Sequence, residues 1–141
     1  MGKIAVIYWS GTGNTEAMAK AVAEGISEKG AEAVVMTADS FNPDMIELYS
    51  GFAFGCPSMG AEQLEESEFQ PMWDNCQPKL SGKKAVLFGS YGWGDGEWMR
   101  NWNEECVNAG IILLGEGLIC NEMPDEDGLT QCRALGNLIA E

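Results

Sequence analysis

The sequence predicts a doubly wound α/β fold in three layers, and three observations support this. Short apolar segments alternate with helical segments along the chain, and a parallel sheet requires such an alternation because each crossover needs a helix. The first apolar segment, residues 3–9, lacks strict alternation, so we expect a strand covered on both faces. Its end carries a glycine-rich turn that opens a helix. A chain of 141 residues then suits one domain around five parallel strands.

The individual elements follow from local patterns. Ala17, Ala21 and Val22 recur at helical spacing after the turn, and Gly30 supplies a stop. The predicted strands cover residues 3–9, 32–37, 51–55, 84–89, and 111–114 with a continuation over 118–120. The predicted helices cover residues 14–29, 43–48, 66–76, 97–109 and 128–140.

The amino-acid composition excludes some classes of binding partner and favours others. The chain has 22 acidic and 8 basic residues, and its net charge of -14 repels nucleic acid and anionic membranes. A protein with a basic patch is the expected partner, because opposite charges speed encounter. The five cysteines are odd in number, lack a C-x-x-C pair and have no histidine to join them, so we expect reduced thiols and no metal site. No apolar run is long enough to span a membrane and no targeting pattern stands out, so a cytoplasmic monomer is expected.

Ligands in such sheets bind beyond the carboxyl ends of the strands, so the candidate loops start at Ser10, Cys56, Ser90 and Asn121. The first is the turn Ser10-Gly11-Thr12-Gly13-Asn14-Thr15, where backbone N–H groups and a helix dipole favour an anion. It contains no Lys or Arg, unlike the P-loop of nucleotide triphosphatases, and this favours a single terminal phosphate. The alternative is a helix start whose Ser, Thr and Asn residues serve capping alone.

Two further loops carry side chains that suit a flat ligand. The loop Gly89-Ser90-Tyr91-Gly92-Trp93-Gly94-Asp95-Gly96-Glu97 places two aromatic rings at the ligand edge, where they can stack on a heterocycle. The alternative is that Trp93 only covers the end of the sheet. The loop Gly55-Cys56-Pro57-Ser58-Met59-Gly60-Ala61-Glu62 can bring Met59 to the other face of the ring, and a peptide beside Gly60 can turn its carbonyl toward the ligand. The alternative is an ordinary glycine turn after a strand.

These loops together resemble one protein family. The matching segments are Tyr8-Trp9-Ser10-Gly11-Thr12-Gly13-Asn14-Thr15-Glu16, Gly55-Cys56-Pro57-Ser58-Met59-Gly60, Leu64-Glu65-Glu66-Ser67-Glu68 and Leu87-Phe88-Gly89-Ser90-Tyr91-Gly92-Trp93-Gly94-Asp95-Gly96. In order and spacing the chain resembles the short-chain flavodoxins of anaerobic bacteria, essentially from end to end. The resemblance implies a flavodoxin-like sheet of order 2-1-3-4-5, a non-covalently bound FMN, and an electron carrier rather than an enzyme. It further implies low-potential one-electron transfer, mainly between semiquinone and hydroquinone, with ferredoxin-type donors and acceptors.

The resemblance also implies roles for individual residues. It places the FMN phosphate on Ser10, Thr12, Gly13, Asn14 and Thr15. It stacks Trp93 on one face of the isoalloxazine and sets Met59 on the other. It gives Gly60 the carbonyl that accepts a hydrogen bond from flavin N5, and it places Glu62 near the pyrimidine edge. The expected FMN contacts are completed by Gly11, Pro57, Ser58, Ser90, Tyr91, Gly92, Gly94 and Asn121.

Acidic residues cluster around the same loops. Ten of the 22 carboxylates lie in three short stretches without a basic residue: Glu62, Glu65, Glu66, Glu68, Asp95, Glu97, Glu122, Asp125, Glu126 and Asp127. A charge ~10 Å from the flavin, at an effective dielectric constant of ~40, contributes about 0.8 kcal/mol. Several such charges oppose the anionic hydroquinone by a potential on the order of 100 mV. The alternative is a solvated surface that keeps the protein soluble.

Two other functions compete with the carrier. One is a flavodoxin-like, FMN-dependent quinone or flavin reductase, but the loops are compact, the chain has no histidine, and no second cofactor site is evident. The other is a phosphate-binding receiver domain. That class needs an acidic metal pocket at the end of the first strand, where Trp9 and Ser10 stand instead.

Overall fold

The strands form one parallel sheet in the computed structural model, which describes residues 2–59 and 63–140. They are β1 (Lys3–Tyr8), β2 (Glu32–Thr37), β3 (Gly51–Gly55), β4 (Lys84–Tyr91), β5 (Ile112–Leu113) and β6 (Leu118–Asn121). The strand order is β2-β1-β3-β4-β5. Both β5 and β6 pair with β4, and β6 pairs with the residues nearer the carboxyl end of β4. The expected order 2-1-3-4-5 is therefore confirmed, with β5 and β6 as two parts of an interrupted fifth strand.

Helices cover both faces of the sheet. Within the described residues, the α-helices are α1 (Asn14–Glu28), α2 (Phe69–Cys76), α3 (Glu97–Asn108) and α4 (Glu126–Ala140). The helix predicted over 43–48 is the 3-10 helix Pro43–Leu48, a form common in short connectors. Its start is capped by Asn42, whose side chain accepts a hydrogen bond from the Asp44 N–H at 3.0 Å. In the part of the chain that the structure describes, no helix has the length and apolar character needed to cross a membrane.

Two helices start away from their predicted positions, because carboxylates bind the free N–H groups at their starts. α2 begins at Phe69 rather than at residue 66, and Glu65 accepts a hydrogen bond from the Phe69 N–H at 2.9 Å. α4 begins at Glu126 rather than at residue 128, and Asp125 accepts a hydrogen bond from the Gly128 N–H at 2.8 Å. Both are capping interactions of a helix N-terminus.

β4 extends two residues beyond its predicted end at residue 89. Ser90 and Tyr91 pair with Cys120 and Asn121 of β6. These two residues therefore belong to the sheet, and the glycine-rich loop after β4 begins at Gly92. Their backbone positions are set by strand pairing rather than by a loop.

The core lies on both sides of the sheet. Ala5 and Ile7 of β1 pack into an apolar cluster with aromatic rings from α2 and α3, whereas Ile4 and Val6 pack into a second cluster with α1 and α4. This alternation follows from the two-residue period of a strand. All four side chains are buried, so the prediction of a first strand covered on both faces is confirmed.

α1 and α4 approach each other closely at two glycines. A Cβ atom on Gly25 would collide with the Arg133 carbonyl, and a Cβ atom on Gly136 would collide with the Val22 carbonyl. Both obstacles are backbone atoms, which cannot turn aside as a flexible side chain can. The contact fixes the position of α1, and α1 begins at the predicted anion turn.

Replacing Gly136 with alanine is therefore expected to destabilise the fold. The added methyl group pushes the two helices apart, and overpacking of this kind costs about 1–3 kcal/mol. Urea unfolding followed by far-UV circular dichroism measures the change in the free energy of unfolding. The matched control is Gln131→Ala on the exposed face of α4, where a change within about 0.5 kcal/mol is expected. Equal stability of the two variants would contradict the packing argument.

Candidate functional site

Strands end together at one edge of the sheet, where their loops surround a cavity of about 280 Å³. The loops are those after β1, β3, β4 and β6. The lining residues are Trp9, Ser10, Gly11, Thr12, Asn14, Thr15, Pro57, Ser58, Met59, Ser90, Tyr91, Gly92 and Glu122. All of them except Trp9 and Glu122 belong to the contact set expected from the sequence. The topology therefore brings all four candidate loops to one place.

The turn after β1 is held by the Ser10 side chain. Its Oγ accepts hydrogen bonds from the N–H groups of Gly13 and Glu16, at 3.0 and 3.2 Å. A hydroxyl has two acceptor positions and one hydrogen, so the Ser10 hydrogen is left to donate to a ligand. Gly13 stands at the N-cap position of α1 with φ 96°, a left-handed conformation that glycine adopts without steric cost.

The same turn contains several hydrogen-bond donors that have no acceptor within the helix. The first N–H groups of any α-helix lack a partner within the helix, and here these include the N–H groups of Asn14 and Thr15. Thr15 is 1% exposed, and its hydroxyl has no hydrogen-bond partner within the described residues. Among residues 2–59 and 63–140, no Lys or Arg lines the cavity. The turn therefore suits an anion held by neutral donors and by the helix dipole.

Ser90 and Tyr91 hold the loops after β3 and β6 beside each other. The Ser90 hydroxyl donates to the Glu122 carbonyl at 2.7 Å, and the Ser90 carbonyl accepts from the Ser58 N–H at 3.0 Å. The Tyr91 carbonyl accepts from the Glu122 N–H at 2.7 Å and from the Asn121 side chain at 3.2 Å. These bonds hold Glu122 at φ 56°, a left-handed conformation that is uncommon outside glycine.

Large apolar side chains are exposed around the cavity. Trp93 is 63% exposed, Met123 57% and Met59 37%. Met59 lines the cavity, whereas Trp93 lies on the glycine-rich loop outside its wall. Grouped apolar exposure at the rim of a cavity is typical of a binding surface.

Some expected contact residues are not on the cavity wall. Gly13, Gly94 and Asn121 belong to its loops but do not line it. The Asn121 side chain bonds to the backbone of Tyr91 instead. Gly60 and Glu62 lie outside the described residues.

Trp9 and Glu122 line the cavity but were absent from the expected contact set. The Trp9 Nε1 donates to the Glu68 carboxylate at 2.9 Å, which ties the turn to the loop before α2. A Cβ atom on Gly11 would lie 3.0 Å from the Trp9 ring, so the ring packs along the turn. Their positions in the sequence could have identified both residues. Trp9 ends the first apolar segment, and Glu122 follows Asn121 at the end of the fifth strand.

Glu65 is a buried carboxylate in the loop before α2, and it is 5% exposed. It accepts hydrogen bonds from the Ser67 hydroxyl and from the N–H groups of Ser67, Glu68 and Phe69. Burial alone raises the pKa of a carboxyl, but these hydrogen bonds outweigh that effect and hold the pKa of Glu65 below its usual value. Glu65 therefore caps α2 and differs from the solvated acids with which the sequence groups it.

The acidic edge is also less uniform than its sequence suggests. The Arg100 guanidinium lies 3.0 Å from the Asp95 carboxylate and donates to the Asp95 carbonyl at 2.9 Å. A cation thus reaches an acidic stretch that contains no basic residue of its own. Glu66, Glu126 and Asp127 are exposed. The edge of the sheet keeps a negative field, carried by fewer solvated carboxylates than the ten counted.

The Glu65→Gln variant is expected to be less stable at neutral pH by about 2 kcal/mol. A carboxyl whose pKa is lowered on folding stabilises the fold above its unfolded-state pKa, and this contribution is lost as the pH falls through the folded-state pKa. The difference in the free energy of unfolding between the two proteins should therefore shrink below about pH 4. Urea titrations over a pH series measure it. A difference that stays constant with pH would rule out stabilisation by the Glu65 charge.

Comparisons with known proteins agree with this architecture. The profile of a family described as Flavodoxin matches residues 6–136. The flavodoxin of Megasphaera elsdenii is 41% identical over 138 residues, which is 98% of each chain. The flavodoxin of Clostridium beijerinckii is 44% identical over 135 residues, covering 96% of this chain and 97% of that one. The solution structure of the two-electron reduced Megasphaera elsdenii flavodoxin aligns with a TM-score of 0.89 over 97% of this chain and 98% of that one.

Proposed function

Because this chain belongs to the flavodoxin family, whose members are FMN-binding electron carriers, we propose that the cavity at the carboxyl edge of its sheet is the FMN site. The protein transfers electrons and is not an enzyme, and the reductase alternative is not favoured. FMN supplies one-electron redox chemistry when bound. The observation that carries the placement is the buried Thr15 hydroxyl, which has no partner within the described residues.

In this proposal the turn after β1 binds the phosphate. Ser10 donates its remaining hydroxyl hydrogen, because both acceptor positions of its oxygen are already used. Thr12, Asn14 and Thr15 add hydroxyl and amide donors, and the dipole of α1 favours the negative charge. Gly13 gives the backbone the left-handed conformation that this turn needs.

The other loops hold the flavin ring. We place Met59 against one face of the ring and Trp93 against the other. Both are exposed apolar side chains; Met59 lines the cavity, and Trp93 follows Gly92 of the lining on the loop after β4. By the resemblance, the carbonyl of Gly60 would accept a hydrogen bond from flavin N5, and Glu62 would be near the pyrimidine edge; both residues lie outside the described ranges. Both of these roles rest on the sequence resemblance. Further contacts come from Gly11, Pro57, Ser58, Ser90, Tyr91, Gly92, Gly94 and Asn121.

The Thr15→Val variant is expected to bind FMN about 10- to 100-fold more weakly, since a lost hydrogen bond to a charged group costs about 1.5–3 kcal/mol. Valine keeps the shape of the side chain and removes only the hydroxyl. Fluorescence titration of the apoprotein with FMN measures the dissociation constant. Riboflavin, which lacks the phosphate, is the control ligand, and its affinity should not change. If the variant loses equal affinity for both ligands, the effect comes from altered folding and not from a lost contact with the phosphate.

Charge at the same edge favours a basic partner. The chain has a net charge of -14, and Glu66 and Glu126 are exposed beside the loops of the cavity. We propose that the partners are redox proteins of the ferredoxin type, or others with a basic patch, that meet a monomer in the cytoplasm. Such encounters bury a small area and are short-lived, and charge mainly sets their rate.

Electron transfer from the reduced protein to a basic c-type cytochrome is expected to slow as salt rises, because a Debye length of about 10 Å at 0.1 M screens the two surfaces. Glu66→Gln should lower the rate at low salt by about twofold. Stopped-flow absorbance measures both effects. Glu32→Gln is the matched control, since Glu32 starts β2 at the opposite end of the sheet. If the two variants slow equally, net charge and not this edge attracts the partner.

A further inference from the structure

Cys120 and Cys132 form a pair of thiols beside the proposed FMN site. Cys120 lies in β6 and is partly exposed, whereas Cys132 lies in α4 and is fully buried. Both are free thiols. They share the apolar cluster on the α1 and α4 face of the sheet, while the other three cysteines lie in the cluster on the opposite face.

Backbone geometry places the Cys120 sulfur against α4, one helical turn from Cys132. A Cβ atom on Gly128 of α4 would lie 3.1 Å from the Cys120 Sγ, so this sulfur rests on the helix where glycine leaves the surface open. Cys132 follows Gly128 by four positions and therefore shares its helix face. Helical side chains lean toward the N-terminus, so the Cys132 thiol covers the surface beside Gly128. The two thiols are near enough for each to shift the pKa of the other.

We propose that Cys120 and Cys132 are a redox dithiol, in which a hydroperoxide oxidises Cys120 and Cys132 then closes an intramolecular disulfide. The Cys120 thiolate attacks one peroxide oxygen, the O–O bond breaks, and Cys120 becomes a sulfenic acid as hydroxide leaves. The Cys132 sulfur attacks the Cys120 sulfur, the S–O bond breaks, and the departing oxygen takes the Cys132 proton as water. The two thiols lose two electrons, and hydrogen peroxide is reduced to two waters.

The two thiols differ in pKa, and the proposed steps require such a difference. The hydrogen bond from Cys132 lowers the pKa of Cys120, although burial and the nearby Asp125 carboxylate oppose this effect. The same hydrogen bond and burial raise the pKa of Cys132, while Arg133 opposes them. Cys120 is thus the more accessible thiol and has the lowered pKa, whereas Cys132 is the buried thiol with the raised pKa.

The remaining thiols lack this combination. Burial raises the pKa of Cys76 to about 11. Burial and the nearby Glu105 carboxylate raise the pKa of Cys106 to about 12. Burial also raises the pKa of Cys56, which is fully buried. Oxidation is therefore selective for the pair in β6 and α4, because reactivity follows thiolate character and access.

The position of the pair connects it to the cavity. A disulfide would close a loop of residues 120–132, and this loop contains Glu122, which lines the cavity and bonds to Ser90 and Tyr91. The thiol chemistry itself does not require FMN. A failure of this proposal therefore leaves the proposed FMN site untouched, and the reverse also holds.

The test treats the purified full-length protein with hydrogen peroxide, blocks free thiols with N-ethylmaleimide under denaturing conditions, and analyses intact mass and protease-derived peptides. The expected product has lost two hydrogens, contains one peptide pair linked through Cys120 and Cys132, and returns to the dithiol with dithiothreitol. A link through any other cysteine, a dimer on non-reducing gels, or Cys120 accumulating as sulfinic acid without a link would overturn the proposal.

Variants separate the two roles. In Cys132→Ser, Cys120 should stop at the sulfenic acid and react with dimedone, whereas Cys120→Ser should leave Cys132 unmodified. The matched control is Cys76→Ala, which should form the same link as the unaltered protein. Circular dichroism checks that each variant is folded, and the peptide map of the unaltered protein decides the question if a variant does not fold. Dimedone labelling of another cysteine in Cys132→Ser would contradict the assignment of Cys120.

Discussion

Parallel pairing of the strands is the constraint on which the rest of the structure depends. Because β1, β3, β4 and β6 run in the same direction, their carboxyl ends meet at one edge, and loops far apart in sequence become neighbours. β4 is central to this arrangement, since Ser90 bonds to Ser58 on one side and to Glu122 on the other. The anion turn, the apolar rim and the cavity are all consequences of that common edge.

Periodicity and turn chemistry were enough to predict most of the elements, and the resemblance supplied the strand order. They did not predict the first residues of α2 and α4. These helix starts depend on side-chain capping by Glu65 and Asp125, and an apolar pattern does not reveal such local hydrogen bonds. At the site, the donors of the first turn were readable because strand, glycine turn and helix are consecutive. Trp9 was not, since its bond to Glu68 joins positions 59 residues apart and exists only in the folded chain.

Charges illustrate the same limit. A sequence shows how many carboxylates lie near a loop, but their effect depends on burial and on partners. Glu65 is folded inward and bonds to backbone N–H groups, whereas the Asp95 carboxylate lies beside Arg100. The N–H donors around Glu65 and the Arg100 cation beside Asp95 offset part of the negative field at the edge of the sheet, which is therefore weaker than a simple count of carboxylates implies.

No Lys or Arg lies in the described lining of the cavity, and this determines whether added salt strengthens or weakens the binding of a phosphate ligand. A phosphate monoester carries a charge of about -1.5 to -2 near neutral pH, so loading makes a chain of net charge -14 still more negative. Dissolved ions screen this repulsion. Higher ionic strength thus favours keeping the phosphate ligand bound, while it hinders the approach of a cationic protein. One electrostatic field therefore makes the two associations respond to salt in opposite directions.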